Sequence, residues 1–459
     1  MNGDILDVAD RLWRGEVGTD EFHPVGHIGK VAEICDGVVF VPSFANVSAF
    51  DTGDGLLLVD TGSAPLAPLV HSELRGWSPE RLNTAVYSHG HIDHVFGVPV
   101  WEAESAERGW PRPTVVSHEA LPARFDRYIL TAGYNQVINR RQFGFDDLIW
   151  PTKYRYPDVT YTTDLALEVG DVAFELRHEK GETDDHTTTW VPEKKVLCCG
   201  DLFIWASPNA GNPQKVQRYP REWAIALRHM ASLRADYLLP GHGVPVIGSD
   251  RVAQALTDTA DLLDSLVDQT LEMMNSGARL DDAIHGVRPP THLASKPYLR
   301  PVYDEPEFIV HTVWRLYGGW WDGNPATLKP SRERDLAVEI ADLAGGSSRL
   351  ADRAVALLED VETSSEQGPS DNRDSKLRLA GHLVEIAWLS SPHDPGVQRA
   401  RNRVFTARSE MSTSTMAKGV FSWAARESAG KSRDSKSRDS KSRDSKSRDS
   451  AVQEPGPEG

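Results

Sequence analysis

The chain has 459 residues, 39% of them hydrophobic, and a formal net charge of -17, so it is long enough for two or three domains that each bury a core. A surface this acidic repels phosphate backbones and excludes nucleic acid as a partner, and no apolar run approaches the length of a membrane span. Met1 to Val17 carries four acidic residues and no hydrophobic centre, which does not read as a secretory signal; with three cysteines that lack evident partners, it predicts a cytoplasmic protein.

Residues 1 to 250 alternate strand-like runs with loops. Val38 to Phe50, followed by Thr52-Gly53-Asp54-Gly55, predicts a hairpin leading into a strand from Leu56, which ends in Asp60-Thr61-Gly62. The most informative run comes next, Tyr-Ser-His-Gly-His-Ile-Asp-His-Val-Phe-Gly at 87–97. His89 and His91 lie two apart at the end of an extended stretch, so they project to one side. Asp93 and His94 fall where the chain is expected to turn into a helix, which lets them face a second ion. Three imidazoles and a carboxylate within six residues after a strand are hard to explain without metal.

Further apolar runs also end in metal-ligand residues. Val196 to Cys199 runs into Gly200-Asp201, and Tyr237 to Leu239 runs into Pro240-Gly241-His242-Gly243. Gly181-Glu182-Thr183-Asp184-Asp185-His186 precedes the strand-like Thr187 to Val191 and offers four more candidates. Sites of open α/β sheets lie beyond the carboxyl ends of their strands, so all of these are expected at one rim.

From Arg251 the period changes. Leu256, Ala260, Leu263, Leu266 and Leu271 recur at helical spacing, as do Leu336, Val338, Ile340, Leu343 and then Leu350, Ala354, Val355, Leu358. Leu379 to Leu389 and Val397 to Phe405 complete a helical region ending near Ala425. Pro289-Pro290 and Pro297 to Pro306 interrupt it as an irregular connector. Four copies of Lys-Ser-Arg-Asp-Ser at 431–450 are too polar and simple to fold alone.

The order of His89, His91, Asp93, His94, Asp201 and His242 resembles the metallo-β-lactamase superfamily over roughly residues 30 to 250. Leu316-Tyr317-Gly318-Gly319-Trp320-Trp321-Asp322-Gly323-Asn324-Pro325-Ala326, with Gly345-Gly346 behind it, resembles the dimerisation domain of alkyl sulfatases over roughly 290 to 425. The resemblance implies an α/β fold: an αββα sandwich at 1–250, an all-α dimerisation domain at 251–425 and a disordered tail at 426–459. It implies that His89, His91 and Glu182 hold one metal and Asp93, His94 and His242 the other, with Asp201 bridging. Where most members have a His, nineteen residues ahead of Asp201, this chain has Glu182, as alkyl sulfatases do; His186 is the rival ligand.

Two departures from that branch stand out. No counterpart of the sterol-carrier-like third domain of the secreted alkyl sulfatases is expected, the low-complexity run at 431–450 being read in its place. The Asn and Arg that grip sulfate are matched only in part: Asn209 fits, eight residues after Asp201, but the Arg position does not match cleanly, and Lys215 or Arg218 is left to take its part. Arg delivers a planar bidentate fork that Lys cannot. Arg300 and Tyr303 in the connector are candidates to reach over the metals, held there by a partner chain.

Four imidazoles and three carboxylates without thiolate suit two Zn²⁺ ions, with Mn²⁺ or Fe²⁺ as alternatives. The reading is a binuclear hydrolase acting through a metal-bridging hydroxide, with Asp93, Asp201 and Asn209 as catalytic groups and Asn209, Lys215, Arg218, Arg300 and Tyr303 binding substrate. Alkyl sulfate esters come first as substrate, of medium chain length if Trp205 and Trp320 line an apolar pocket. Carboxylic esters, lactones or thioesters are the alternative, and a non-catalytic dimeric scaffold is the rival of another class. A small-molecule ester and a second copy of the chain are the expected partners.

Overall fold

A computed structural model describes residues 5–26, 28–363 and 371–430. By backbone contacts the chain divides into two compact units, one of residues 1–138 and 148–324, the other of 139–147 and 325–459.

The first unit is built on two sheets. Strands β1 (Ala32–Cys35), β2 (Val38–Val41), β3 (Val47–Asp51), β4 (Leu56–Val59), β5 (Leu82–Val86), β6 (Thr114–His118) and β7 (Val159–Tyr161) lie side by side in chain order. The second sheet, of β8 (Asp164–Val169), β9 (Val172–His178), β10 (Thr187–Val191), β11 (Val196–Gly200), β12 (Tyr237–Pro240) and β13 (Val246–Ile247), runs in simple order from β13 to β8. The predicted hairpin is present as β2 and β3, paired antiparallel from Val38 opposite Phe50. Its exit turn into β4 closes where Thr52 Oγ1 donates to the Gly55 carbonyl at 2.7 Å.

Alternation along the strands divides their side chains between separate cores. Val38, Phe40, Phe50, Leu57 and Val59 point inward and meet Phe174, Leu176, Val196, Cys198 and Leu239 of the second sheet. Val39, Val41, Ala49, Leu56 and Leu58 point outward under the helices Ala67–Trp77, Val98–Arg108 and Leu121–Leu130. Leu197, Cys199 and Leu238 point outward from the second sheet under Pro220–Ser232, Ser249–Asn275 and Pro306–Gly318. Strands apolar on both faces require cover on both sides, and this yields the expected αββα sandwich. Three helices of the first layer start with proline in their first turn, Pro68, Pro99 and Pro122, where the missing N–H costs nothing.

β4, β5 and β6 are parallel, as are β11 and β12, while β10 runs antiparallel to β11. The carboxyl ends of β4, β5, β11 and β12 and the entry to β10 therefore share one rim, where Thr187 N–H donates to the Ser88 carbonyl across the two sheets at 2.6 Å.

The second unit is helical: Glu333–Ala344, Ser347–Thr363, Asp371–Ser390, Pro395–Met411 and 415–430 enclose a core of Leu350, Ala354, Leu358, Ala380, Val384, Ala387, Val397 and Val404. The stripe expected on the first of these helices is displaced. Ala337 and Ala341 are its buried residues, while Leu336 and Leu343 are 55% and 82% exposed. The tail expected from residue 426 is helical to 430, and the rest of it lies outside the described residues. Among the described residues no helix is long and apolar enough to cross a membrane.

Candidate metal centre

Two groups of ligand atoms converge at the shared rim, His89, His91, Glu182 and Asp201 in one and Asp93, His94 and His242 in the other. In the first group Glu182 Oε2 is 3.5 Å from both His89 Nε2 and His91 Nδ1, and His89 Nε2 is 3.7 Å from Asp201 Oδ2. In the second, Asp93 Oδ2 is 3.7 Å from His94 Nε2 and 3.4 Å from His242 Nε2. Asp201 reaches both, its Oδ2 lying 3.3 Å from His242 Nε2 and its Oδ1 3.4 Å from His94 Nε2.

These separations fit a metal. Four atoms arranged tetrahedrally around an ion at about 2.0–2.1 Å sit roughly 3.3 Å apart. His94 Nε2, Glu182 Oε2 and Asp201 Oδ1 are buried without a hydrogen-bond partner, which native interiors avoid unless something else satisfies the atom. Burial holds His89 and His91 well below the ordinary imidazole value, in the neutral form that ligates. Burial also opposes charge on His94, but Asp201, Asp60 and Asp93 outweigh it and lift the imidazole well above its usual value. Burial drives Glu182 up to about 7 against the pull of Arg218. Asp201 is held well below the carboxylate range because His242 and His94 overcome its burial. Neutral imidazoles beside carboxylate oxygens without partners form a set that a divalent cation would satisfy.

Comparison with known proteins adds the family. The sequence model of the metallo-beta-lactamase superfamily matches residues 41–242, and that of alkyl sulfatase dimerisation matches 279–431. Residues 41–242 are a metallo-β-lactamase superfamily domain by this match. It is 26% identical over 319 residues to a linear primary-alkylsulfatase of Pseudomonas sp., covering 65% of this chain and 60% of that one. It is 26% identical over 370 residues to an (R)-specific secondary-alkylsulfatase of Pseudomonas sp., covering 74% and 54%. The chain thus spans little more than half the length of these curated relatives. The stereoselective inverting sec-alkylsulfatase Pisa1 from Pseudomonas sp. has the same fold, with a TM-score of 0.75 at 20% identity over 86% of this chain and 64% of that one.

Around the two donor groups, neighbouring residues fix the orientation of the imidazoles. His94 Nδ1 donates to Asp60 Oδ2 at 2.7 Å, and Asp60 also accepts from Ser88 N–H and Oγ–H at 2.7 Å each. Asp60 sits at φ 59°, a left-handed conformation that a non-glycine residue adopts only when its surroundings hold it there. His242 Nδ1 donates to the Phe44 carbonyl, and Asn46 Nδ2 donates to the Pro240 and Gly243 carbonyls on either side of that imidazole. Glycine at 241 is obligatory, since a Cβ there would lie 2.3 Å from Asp201 Oδ1. Asp93 and His94 stand in a turn; the helix expected at that point begins at Val98.

His186 lies outside both donor groups. Its Nε2 accepts from Asp201 N–H at 3.2 Å, and its ring stacks on His89 with centroids 5.0 Å apart. The Glu182 carboxylate faces two ways, Oε2 toward His89 and His91 and Oε1 toward Asn209 Nδ2 and Arg218 Nη2, the latter at 3.2 Å. Lys215 is half-buried, and burial together with Arg218 lowers its pKa to about 8 in the field of Asp93 and Glu182. Tyr303 also lies in the field of Asp93, Glu182 and Asp201, and with burial that keeps its phenol well above the ordinary value.

Arg300 is not brought to this group: its side chain is exposed, and its carbonyl accepts Ser207 N–H at 2.9 Å. Within the chain the connector packs on the loop after β11, Val302 and Tyr303 lying against Ile204 and Ala206. The aromatic pocket expected of Trp205 and Trp320 does not form, because Trp205 is 1% exposed with Nε1 donating to the Val244 carbonyl, while Trp320 is 72% exposed.

Sequence reasoning placed Asp60 at the rim but gave it no task; its position at a strand end beside the His motif was the available signal. Arg124 was missed. Buried in the helix Leu121–Leu130, it pairs with Asp184 and, through Nε at 2.7 Å, with Asp185, whose Oδ2 accepts Gly90 N–H at 2.9 Å between His89 and His91. Nothing in the local sequence marks that helix as part of the centre.

Proposed function

We propose that the chain is a metal-dependent hydrolase of alkyl sulfate esters. The observation that carries the reading is Asp201 standing between two groups of imidazole and carboxylate donors, with Asn209 and Arg218 bonded to Glu182 beside them and Lys215 and Tyr303 in the field of the same carboxylates. His89, His91 and Glu182 would hold one divalent ion and Asp93, His94 and His242 the other, with Asp201 shared; Zn²⁺ fits this set best. Ions bound there would polarise the ester oxygens and lower the pKa of water toward 7.

The chain's own residues then divide the remaining work. Lys215 and Arg218 supply cationic N–H donors for the non-bridging oxygens of a monoanionic head group, standing in for the missing family Arg. Asn209 donates a neutral hydrogen bond on the same side. Tyr303, kept protonated by burial and by the carboxylates around it, offers an O–H donor at neutral pH. Donors fixed in place before reaction stabilise charge that develops on the departing sulfate. A scaffold that had given up catalysis would have no need of a complete donor set.

At the level of function we divide the chain into a catalytic domain to residue 250, a helical dimerisation domain at 251–425 and a dispensable tail. Leu336, Leu343 and Leu379, exposed in the helical unit, supply apolar surface for a two-fold contact between copies. Cys35, Cys198 and Cys199 are all free, which suits a reducing cytoplasm.

The test is a panel of alkyl sulfates, phosphate esters, carboxylic esters, lactones and thioesters, assayed after reconstitution with Zn²⁺, Mn²⁺ or Fe²⁺. Turnover of sulfate esters supports the reading. Turnover of lactones or thioesters with every sulfate untouched replaces the substrate, and no turnover of any ester removes the enzyme.

A further inference from the structure

Two segments bring groups other than metal ligands to the centre: the loop after β11 carries Asn209, and the connector before Pro306–Gly318 carries Tyr303. These segments are fastened to one another. Ser207 N–H donates to the Arg300 carbonyl at 2.9 Å, Ile204 and Ala206 pack against Val302 and Tyr303, and Gly211 N–H donates to Asp304 Oδ2 at 2.6 Å. The other oxygen of that carboxylate, Oδ1, accepts Glu305 N–H on the connector at 2.8 Å. Asp304 is 0% exposed, so one buried carboxylate spans the two segments with one oxygen on each. The fit leaves no slack, since a Cβ on Gly211 would lie 2.3 Å from Ile309 N.

We infer that Asp304 is a positioning residue, which sets the spacing between Asn209 and Tyr303 and through it the recognition of the substrate's head group. A buried carboxyl is costly unless hydrogen bonds compensate it, and here both bonds go to the backbone of the segments that carry the two head-group donors. A displacement of about 1 Å between such donors is enough to cost on the order of a hundredfold in rate. The inference rests on the proposed function to the extent that Asn209 and Tyr303 receive an ester head group; the tie between the segments stands apart from it.

The experiment uses the full-length, metal-replete chain as wild type, Asp304→Asn, Asp304→Ala, Asn209→Ala and the double variant Asp304→Ala/Asn209→Ala. Hydrogen exchange over residues 204–211 and 300–309 is read beside metal content, kcat and KM for a medium-chain alkyl sulfate. Exchange in both segments is expected to speed up by about tenfold or more in Asp304→Ala, with metal content unchanged. kcat/KM should fall by about 10- to 100-fold in Asp304→Ala and by less in Asp304→Asn, which keeps one acceptor. The double variant should be within about threefold of Asn209→Ala alone, because the two residues act through one contact. Wild-type exchange and kinetics in Asp304→Ala, or fully additive losses in the double variant, would overturn the inference. Should Asp304→Ala fail to fold, Gly211→Ala tests the same spacing by pushing the segments apart, and unchanged exchange and KM there would count equally against it. A wild-type chain that turns over no ester removes the proposed function, and the exchange data alone then decide whether Asp304 ties the segments.

Discussion

His94 donates from Nδ1 to Asp60 Oδ2 at 2.7 Å, and this bond turns its Nε2 toward Asp201 Oδ1, 3.4 Å away. Asp60 is itself fixed by Ser88 through two further bonds, so the orientation of one imidazole of the second donor group is set by a residue outside both groups. Residues in that position usually govern affinity as strongly as they govern tautomer. Asp60→Ala is therefore expected to weaken binding at the Asp93, His94 and His242 group by about 10- to 100-fold, while the His89, His91 and Glu182 group keeps its ion. Competitive chelator titration of the two sites measures this; equal losses at both would contradict it.

Metal content tests the ligand set directly. Elemental analysis of the purified chain should find close to two divalent ions, and His91→Ala and Asp201→Ala should each abolish turnover. His186→Ala should leave most of the metal bound, since its Nε2 is engaged with Asp201 N–H at 3.2 Å. Loss of one equivalent in His186→Ala, with normal content in Glu182→Gln, would reverse the assignment.

Head-group recognition should be sensitive to Asn209. Removing one donor to developing charge costs on the order of one to two decades in rate, so Asn209→Ala should lower kcat/KM for an alkyl sulfate by about 10- to 100-fold. Arg218→Lys should be nearly as damaging, because a lysine cannot bond Glu182 Oε1 and still present a planar fork. Unchanged kinetics in both variants would move the head group elsewhere.

Burial pushes the Asp304 carboxyl from an ordinary 3.8 up to about 7. The folded chain then binds more protons than the unfolded chain between those values, so this group lowers stability as pH rises through the window and adds no further slope above it. Relative to wild type, Asp304→Asn should lack that decline. Urea unfolding at pH 4.5, 5.5, 6.5 and 7.5 reads the difference, and parallel stability curves for the two proteins would refute it.

The exposed leucines of the helical unit should hold the dimer together. Leu336→Glu/Leu343→Glu introduces charge on two apolar side chains that are 55% and 82% exposed, so the chain should stay folded and shift from dimer to monomer in light scattering at micromolar concentration. Removing residues 431–459 should change neither mass per assembly unit nor activity. A variant that remains dimeric assigns the contact to another surface.

Much of the fold and of the donor set that converges at the rim was legible in the sequence because each signal is local. Val38 to Val41 and Leu56 to Val59 are apolar at every position, which marks them as strands, and the two-residue period of a strand then divides their side chains between two layers. The His motif at 89–94 carries its meaning in spacing alone, and Asp201 and His242 each stand at the end of an apolar run. What the sequence could not decide depends on segments that meet only after folding. Asp60 and His94 are 34 residues apart, and Asp304 reaches Gly211 across 93. The choice between Glu182 and His186 turned on which of two neighbouring side chains faces the rim and which turns back to the Asp201 backbone. Arg300 and Tyr303, three positions apart, look equivalent as sequence. Only the packing of Val302 against Ile204 and Ala206 sends one toward the carboxylates and leaves the other in solvent, because a connector without a regular period has no face until another segment supplies it.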